Sequence, residues 1–172
     1  MRIGYFDSSG GGSESGRSGG VLAELARRLL ADGVTVRGAV QENSGPREGH
    51  CDMDLRILPD GPLIRISQDL GPHATGCRLD PAALETAVME VERRLPGAQF
   101  LILNKFGKHE AEGRGFRQML ADVAASGVPV LVAVNPVHQR AFLDFAGELA
   151  EEVAEDRVHD WALGALAGLE AA

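Results

Sequence analysis

The stretch Phe100-Leu101-Ile102-Leu103-Asn104-Lys105-Phe106-Gly107-Lys108-His109-Glu110-Ala111-Glu112-Gly113-Arg114-Gly115 decides how this chain is read. A buried-type apolar run stops at an amide, and a loop dense in ionisable groups follows. Its glycines let the backbone turn sharply. A strand that is apolar throughout belongs in the middle of an α/β sheet, with both faces covered. Ligands of open α/β sheets bind in the crevice beyond the carboxyl ends of the strands. The loop after Leu103 therefore reads as one wall of a binding site.

Outward from this strand, the chain alternates between helical and extended patterns. Arg2 to Phe6 reads as a first strand. Val21 to Ala31 reads as a helix, with Val21, Leu22, Leu25, Ala26, Leu29 and Leu30 at helical spacing and Gly33 as its stop. Val34 to Val40 is β-branched enough for a second strand, and a βαβ start implies that it pairs parallel to the first. Glu42 to Gly49 reads as a polar, mobile loop. Met53 to Leu58 and Leu63 to Ser67 flank the turn Pro59-Asp60-Gly61-Pro62 and predict an antiparallel hairpin. Gln68 to Leu79 is a loop punctuated by glycines. Asp80-Pro81 is a helix start, the aspartate as cap and the proline at the first helical position, and the helix runs to about Arg94. Gln99 to Leu103 is the central strand. Phe116 to Ala125 is a helix ended by Gly127. Val128 to Val134 is a near-continuous apolar strand with Pro129 near its start. Ala141 to Asp156 and Trp161 to Leu169 read as closing helices. No internal repeat or inter-domain linker is visible, so residues 1–172 are expected to form one domain.

The bulk numbers narrow the function. With 172 residues, 44% of them hydrophobic, the chain can bury a full core. A net charge of -8 argues against nucleic acid as a partner, which calls for a basic face. It leaves room for a local anion site, because a few backbone amides and one or two cations suffice. The apolar runs are far shorter than the roughly 20 residues a membrane-spanning helix needs, and the start of the chain lacks a signal-peptide pattern. Two cysteines, Cys51 and Cys77, do not make a disulfide framework. A cytoplasmic location with reduced thiols is the expectation.

A second loop follows the first strand: Gly11-Gly12-Ser13-Glu14-Ser15-Gly16-Arg17-Ser18. It fits the phosphate-loop template GxxxxGK[ST] at every fixed position but one, where Arg17 stands for lysine. Gly11, Gly12 and Gly16 would permit a nest of backbone amides around phosphates. Ser18 would meet magnesium. Arg17 keeps the charge but offers a planar fork in place of a compact ammonium. Glu14 is unfavourable beside phosphate. The alternative is a flexible Gly/Ser connector ahead of the helix.

On these residues the chain resembles the P-loop nucleoside-triphosphatase fold, in the arrangement of the small thermophilic nucleoside-triphosphatase family. There the Walker B strand ends in a D-E-x-G-x-x-E pattern. Here the matching residues run from Asn104 to Glu110: Gly107 and Glu110 keep the pattern, and Asn104 and Lys105 replace both acids. A closer resemblance is to an uncharacterised bacterial family described as a divergent relative of those enzymes. Three stretches carry it: Cys51-Asp52-Met53; Ile66-Ser67-Gln68-Asp69-Leu70-Gly71 with Gly76-Cys77-Arg78-Leu79-Asp80; and Asn104 to Lys108 continuing through Glu110 to Gly115. Some of its members carry names that link them to molybdenum transport. Its typical members lack a recognisable Walker A motif, which leaves the Gly11 to Ser18 match open between phosphate loop and connector. The resemblance implies a three-layer, P-loop NTPase-like α/β fold, with a mostly parallel central sheet flanked by helices and a β-hairpin insertion.

The nucleotide- or anion-binding candidates are Gly11, Gly12, Gly16, Arg17, Ser18, Asn104, Lys105, Lys108, Arg114 and Arg117. The last four form a basic cluster in an acidic protein, and an arginine among them can grip phosphate or carboxylate in a bidentate fashion. A self-neutralised ion-pair loop with Glu110 and Glu112 is the alternative. The catalytic candidates are Glu110, His109 and Asp7, the aspartate standing at the end of the first strand. No CxxC or HxxxH spacing calls for a metal site, and none is expected; the candidates are Ser18 and, with His50 or His73, the pair Cys51 and Cys77, for which packing is the simpler reading. Gln41, Ser67, Gln68, Asn135, His138 and Arg140 are polar groups placed to face the same crevice or the surrounding surface.

Three functions follow from this reading. The first is a degenerate NTPase-like protein that binds a nucleotide, with magnesium, or a small anion, in an accessory or regulatory role with little or no hydrolysis. The second is an active nucleoside triphosphatase or nucleotide kinase with atypical Walker motifs. The third is a non-catalytic protein that binds a protein partner or its own copies, linked to oxyanion (molybdate) or metal homeostasis.

Overall fold

The computed structural model describes residues 2–8, 17–44, 52–68 and 79–170. The elements along the chain are β1 (Ile3–Asp7), α1 (Arg17–Ala31), β2 (Val36–Ser44), β3 (Asp52–Leu58), β4 (Leu63–Arg65), α2 (Pro81–Glu92), β5 (Phe100–Phe106), α3 (Lys108–Ala111), α4 (Arg117–Ala125), β6 (Val130–Val134), α5 (Gln139–Ala146), β7 (Ala150–Glu152) and α6 (Val158–Glu170). One seven-stranded sheet has the order β4-β3-β2-β5-β6-β1-β7. The run from β2 to β7 is parallel throughout. The expected hairpin extends one edge, β3 pairing antiparallel with β2 and β4 with β3.

Alternation along β5 explains the three layers. Phe100 and Ile102 face α1 and α6, among Leu22, Leu25, Leu29 and Val158. Leu101 and Leu103 face α2, α4 and α5, among Leu84, Leu120 and Phe142. All four are fully buried, and burying such a side chain contributes about 1.5–3 kcal/mol. The helix start read at Asp80-Pro81 is present: the Asp80 carboxylate accepts from the backbone amides of Ala82 (2.9 Å) and Ala83 (3.2 Å). Among the described residues no helix is long and apolar enough to cross a membrane.

Three expectations need correction. β1 and β2 run the same way but do not pair, because β5 and β6 lie between them. α1 packs beneath Val36, Val40, Phe100 and Ile102, so it carries the chain past two strand positions that the more apolar β5 and β6 then fill. Glu42 to Ser44 are strand, not loop: they continue β2 against Asp54, Met53 and Asp52 of β3. The span Ala141 to Asp156 is not one helix. α5 stops at Ala146, and Ala150–Glu152 pair with Ile3, Gly4 and Tyr5 as a seventh strand.

Candidate functional site

The carboxyl end of β5 is irregular where the chemistry-bearing residues begin. Asn104 pairs with Ala133 of β6 and Phe106 with Val134, so Lys105 is the extra residue of a β-bulge. Bulges redirect side chains next to functional sites. Here Leu103 and Phe106 both join the core on the α2 and α4 face, and Lys105 is left half-buried beside it. Burial pushes its ammonium pKa down. Among the described residues no carboxylate pairs with it.

Asn104 is buried. Its Nδ2 donates to Gln41 Oε1 at 3.1 Å, joining the ends of β5 and β2. Its Oδ1 is buried with no hydrogen-bond partner. Ser18, in the first turn of α1, is 1% exposed, and its Oγ is likewise without a partner. The two residues stand on elements that both adjoin β2 at Gln41. Gly19, next to Ser18, lies so close to β2 that a Cβ there would collide with the carbonyl oxygen of Gln41, and Gln41 holds Asn104. Buried polar atoms are nearly always bonded, so each of these orphaned oxygens is a candidate contact for an additional polar group.

The loop after β5 is braced internally. Glu110 is 4% exposed, and its carboxylate accepts from the Gly107 amide at 3.0 Å and the Phe116 amide at 3.2 Å. Burial pushes the Glu110 carboxyl up, against the opposing pull of those backbone amides. Gly115 has φ of 59°, and a Cβ there would collide with Glu110 Oε1. The Gly115 amide donates to Glu85 of α2 at 3.1 Å. The Gly107, Glu110 and Gly115 spacing is thus a folding device, and the Glu110 carboxylate is turned onto the backbone.

The four-cation cluster divides. Arg114 pairs with Glu112, and Lys108 approaches the same carboxylate at 3.9 Å; all three are exposed. Arg117 donates to the Glu110 carbonyl at 3.1 Å and lies over the Phe145 ring at 4.4 Å. Lys105 and Lys108 reach a common cavity, about 230 Å³ in volume, and Arg114 and Arg117 do not line it. Its other polar contributors include Gln41, Asn104, His109, Asn135 and His138. The Asn135 carboxamide is already engaged, accepting from the Val137 amide at 3.0 Å. The remaining wall is apolar: Met53, Leu55, Ile66, Leu79, Leu84 and Phe116. The sequence reading missed this wall, although the period-two pattern of Met53 and Leu55 was its signal.

Asp7 ends β1 beside Val134 and takes part in an interaction of its own. Gly11, Gly12, Gly16, Cys51 and Cys77 lie outside the described residues, as does the Arg17 side chain.

Residues 12–161 match the family described as Protein of unknown function (DUF2478). The chain belongs to this family. This DUF2478 protein is also similar to the molybdenum import ATP-binding protein ModC 2 of Bradyrhizobium diazoefficiens, with 35% identity over 140 residues. That match takes in 80% of this chain and 16% of the relative, so the chain spans about a sixth of the relative's length. Among solved structures it is similar to a human cancer-related nucleoside triphosphatase, with a TM-score of 0.60 and 17% identity over 100% of this chain and 98% of that one. The DUF2478 protein therefore has the P-loop NTPase fold that the sequence resemblance implied.

Proposed function

We propose that this chain binds a nucleotide, or a comparably small phosphate-bearing anion, at the carboxyl edge of its sheet. The role is accessory or regulatory, alongside a partner protein or further copies of the chain, with little or no hydrolysis. The observation that carries the reading is a pair of buried, unpartnered oxygens: Ser18 Oγ in the first turn of a 15-residue helix and Asn104 Oδ1 towards the carboxyl end of β5. A helix start offers free amides and a positive dipole end to phosphate. The sequence has an arginine, Arg17, at the first position of α1.

Hydroxyl and amide oxygens are of the hard type that magnesium accepts. Neither carries charge, so a magnesium ion there would depend chiefly on the phosphates it accompanies, and would neutralise them. The same residues support weak or absent hydrolysis. Lys105 puts a cation where the related enzymes carry an acid, and the Glu110 carboxylate is directed at the Gly107 and Phe116 amides. An attacking water has no evident base in that register.

A second reading takes its support from the relative named for molybdenum import: the site holds an oxyanion such as molybdate. One experiment separates the two. Thermal stability is followed with ATP, ADP, GTP and GDP, with and without magnesium, and with phosphate, sulfate and molybdate. A ligand that binds only the native state at a hundred times its Kd adds about 2.7 kcal/mol. The nucleotide reading expects a magnesium-dependent shift with nucleotides and no phosphate release above the blank. A shift with molybdate alone replaces it with the second reading. Phosphate release abolished by Glu110→Gln would overturn the non-hydrolytic account.

A further inference from the structure

The cavity beside Lys105 touches Gln41 and Asn104 at its polar end and extends away from them over the face of the sheet that α2 and α4 cover. Most of its wall is hydrocarbon, contributed by the hairpin (Met53, Leu55), α2 (Leu84) and the residue before α4 (Phe116). The β5 bulge brings Lys105 to this wall, and Lys108, which lies near Glu112, stands on the same lining. The neighbouring acids are otherwise engaged. Glu110 accepts from two backbone amides. Asp54 is bonded to Arg65 at 3.0 Å. Glu85 accepts from Gly115, and Glu112 holds Arg114. A half-buried cation without a counter-charge among the described residues, facing a largely apolar wall, asks for a ligand that brings both a negative charge and a hydrophobic body.

We propose that this cavity binds a small amphipathic monocarboxylate, its carboxylate on the Lys105 ammonium and its apolar body against Met53, Leu55, Ile66, Leu84 and Phe116. Size sets the class. An apolar cavity of about 150 Å³ accepts a benzene-sized ring, so about 230 Å³ holds a ring or short alkyl chain together with its carboxylate. Inorganic phosphate has no apolar part to cover this wall. Gln41, Asn104, Lys108, His109, Asn135 and His138 are further polar groups on the same lining. The cavity shares Asn104 and Gln41 with the proposed phosphate site, but the proposal rests on Lys105 and the apolar wall and not on nucleotide binding.

The test is a titration of protein labelled at its methionine methyl groups, followed by NMR, with benzoate as probe and benzyl alcohol and benzylammonium as controls of the same shape. Met53 lines the cavity, and Met89, on the exposed side of α2, serves as internal reference. The expected result is a saturable benzoate shift at Met53, none at Met89, and binding about tenfold or more weaker for both controls. Lys105→Met should erase the preference for benzoate and leave benzyl alcohol unchanged; Lys105→Arg should retain it. Equal binding of benzoate and benzyl alcohol, shifts that bypass Met53, or no benzoate binding would each overturn the proposal. The three-probe comparison on the unsubstituted chain decides it even where a variant fails to fold. Nucleotide binding, read separately from thermal stability, stands or falls on its own.

Discussion

Asn104 Nδ2 donates to Gln41 Oε1 at 3.1 Å, and this bond leaves Asn104 Oδ1 buried without a partner. The amide thus has two roles. Its nitrogen ties the ends of β5 and β2 together, and its oxygen is held available. A carboxylate could not make the tie, because it has no donor to offer Gln41 Oε1.

Asn104→Asp follows from this relationship. The variant sets two acceptors against each other and buries a charge, which costs about 1–3 kcal/mol in the unliganded protein. Magnesium with ADP should recover part of the loss, so the ligand-induced rise in Tm should exceed that of the unsubstituted chain. Equal unliganded Tm values would show that the Gln41 contact contributes nothing.

Glu110→Gln tests the brace. Gln offers one acceptor oxygen where two backbone amides donate, so about 1–3 kcal/mol of stability should be lost, with nucleotide affinity intact. The pH dependence has a definite sign. Burial raises the folded-state carboxyl pKa above its unfolded value, so the Glu110 contribution is full below the ordinary carboxyl range and declines as pH rises through the folded value. The stability difference between the unsubstituted chain and Glu110→Gln should therefore be larger near pH 4 than near pH 7, as measured by urea unfolding. A difference that grows with pH would contradict the burial account.

Lys105→Met should raise Tm at neutral pH, since it removes a half-buried ammonium held below its ordinary pKa by burial. A depressed lysine pKa penalises folding below the folded value, and the penalty fades as pH rises towards the unfolded one. The advantage of the methionine variant should thus shrink from pH 7 to pH 11. A constant gain across that range would point to packing instead of charge.

Gly19→Ala drives a methyl group into the Gln41 carbonyl and should cost about 1–3 kcal/mol, the usual penalty of overpacking. Gly164→Ala, in α6, meets open space. It should be neutral or stabilising by about 0.4–1 kcal/mol. Thermal unfolding of the pair separates loss of a specific approach from the general preference of helices for alanine. Equal effects would remove the reason given for a glycine at position 19.

Much of this architecture is legible in the residues themselves. The Asp80-Pro81 cap, the hairpin around Pro59, and the apolar β5 and β6 are set by local chemistry, and local chemistry can be read in order along a chain. What escaped depends on partners far away in sequence. β7 is Ala-Glu-Glu, with no strand character of its own, and becomes a strand because β1 has a free edge beside it. The polar end of β2 is extended because β3 pairs with it. At the site, the loop advertised a cluster of four cations, yet Arg117 is drawn to Phe145, a ring 28 residues on, and Arg114 to Glu112. The bulge that isolates Lys105 exists only relative to β6, so sequence alone gave no sign of it. Glu110, an acid in a loop full of ionisable groups, looked like chemistry and turns out to hold the loop's shape.

The most direct test of the nucleotide site is Ser18→Ala, measured in two ways on the same protein. Removing a buried hydroxyl without a partner should leave the unliganded Tm unchanged or raised, since an unsatisfied polar group is lost. Calorimetric titration with magnesium and ATP should show saturable binding to the unsubstituted chain and binding weaker by about tenfold or more to the variant. Unaltered affinity, or no nucleotide binding by either protein, would contradict the assignment of Ser18 and Asn104 to a phosphate site.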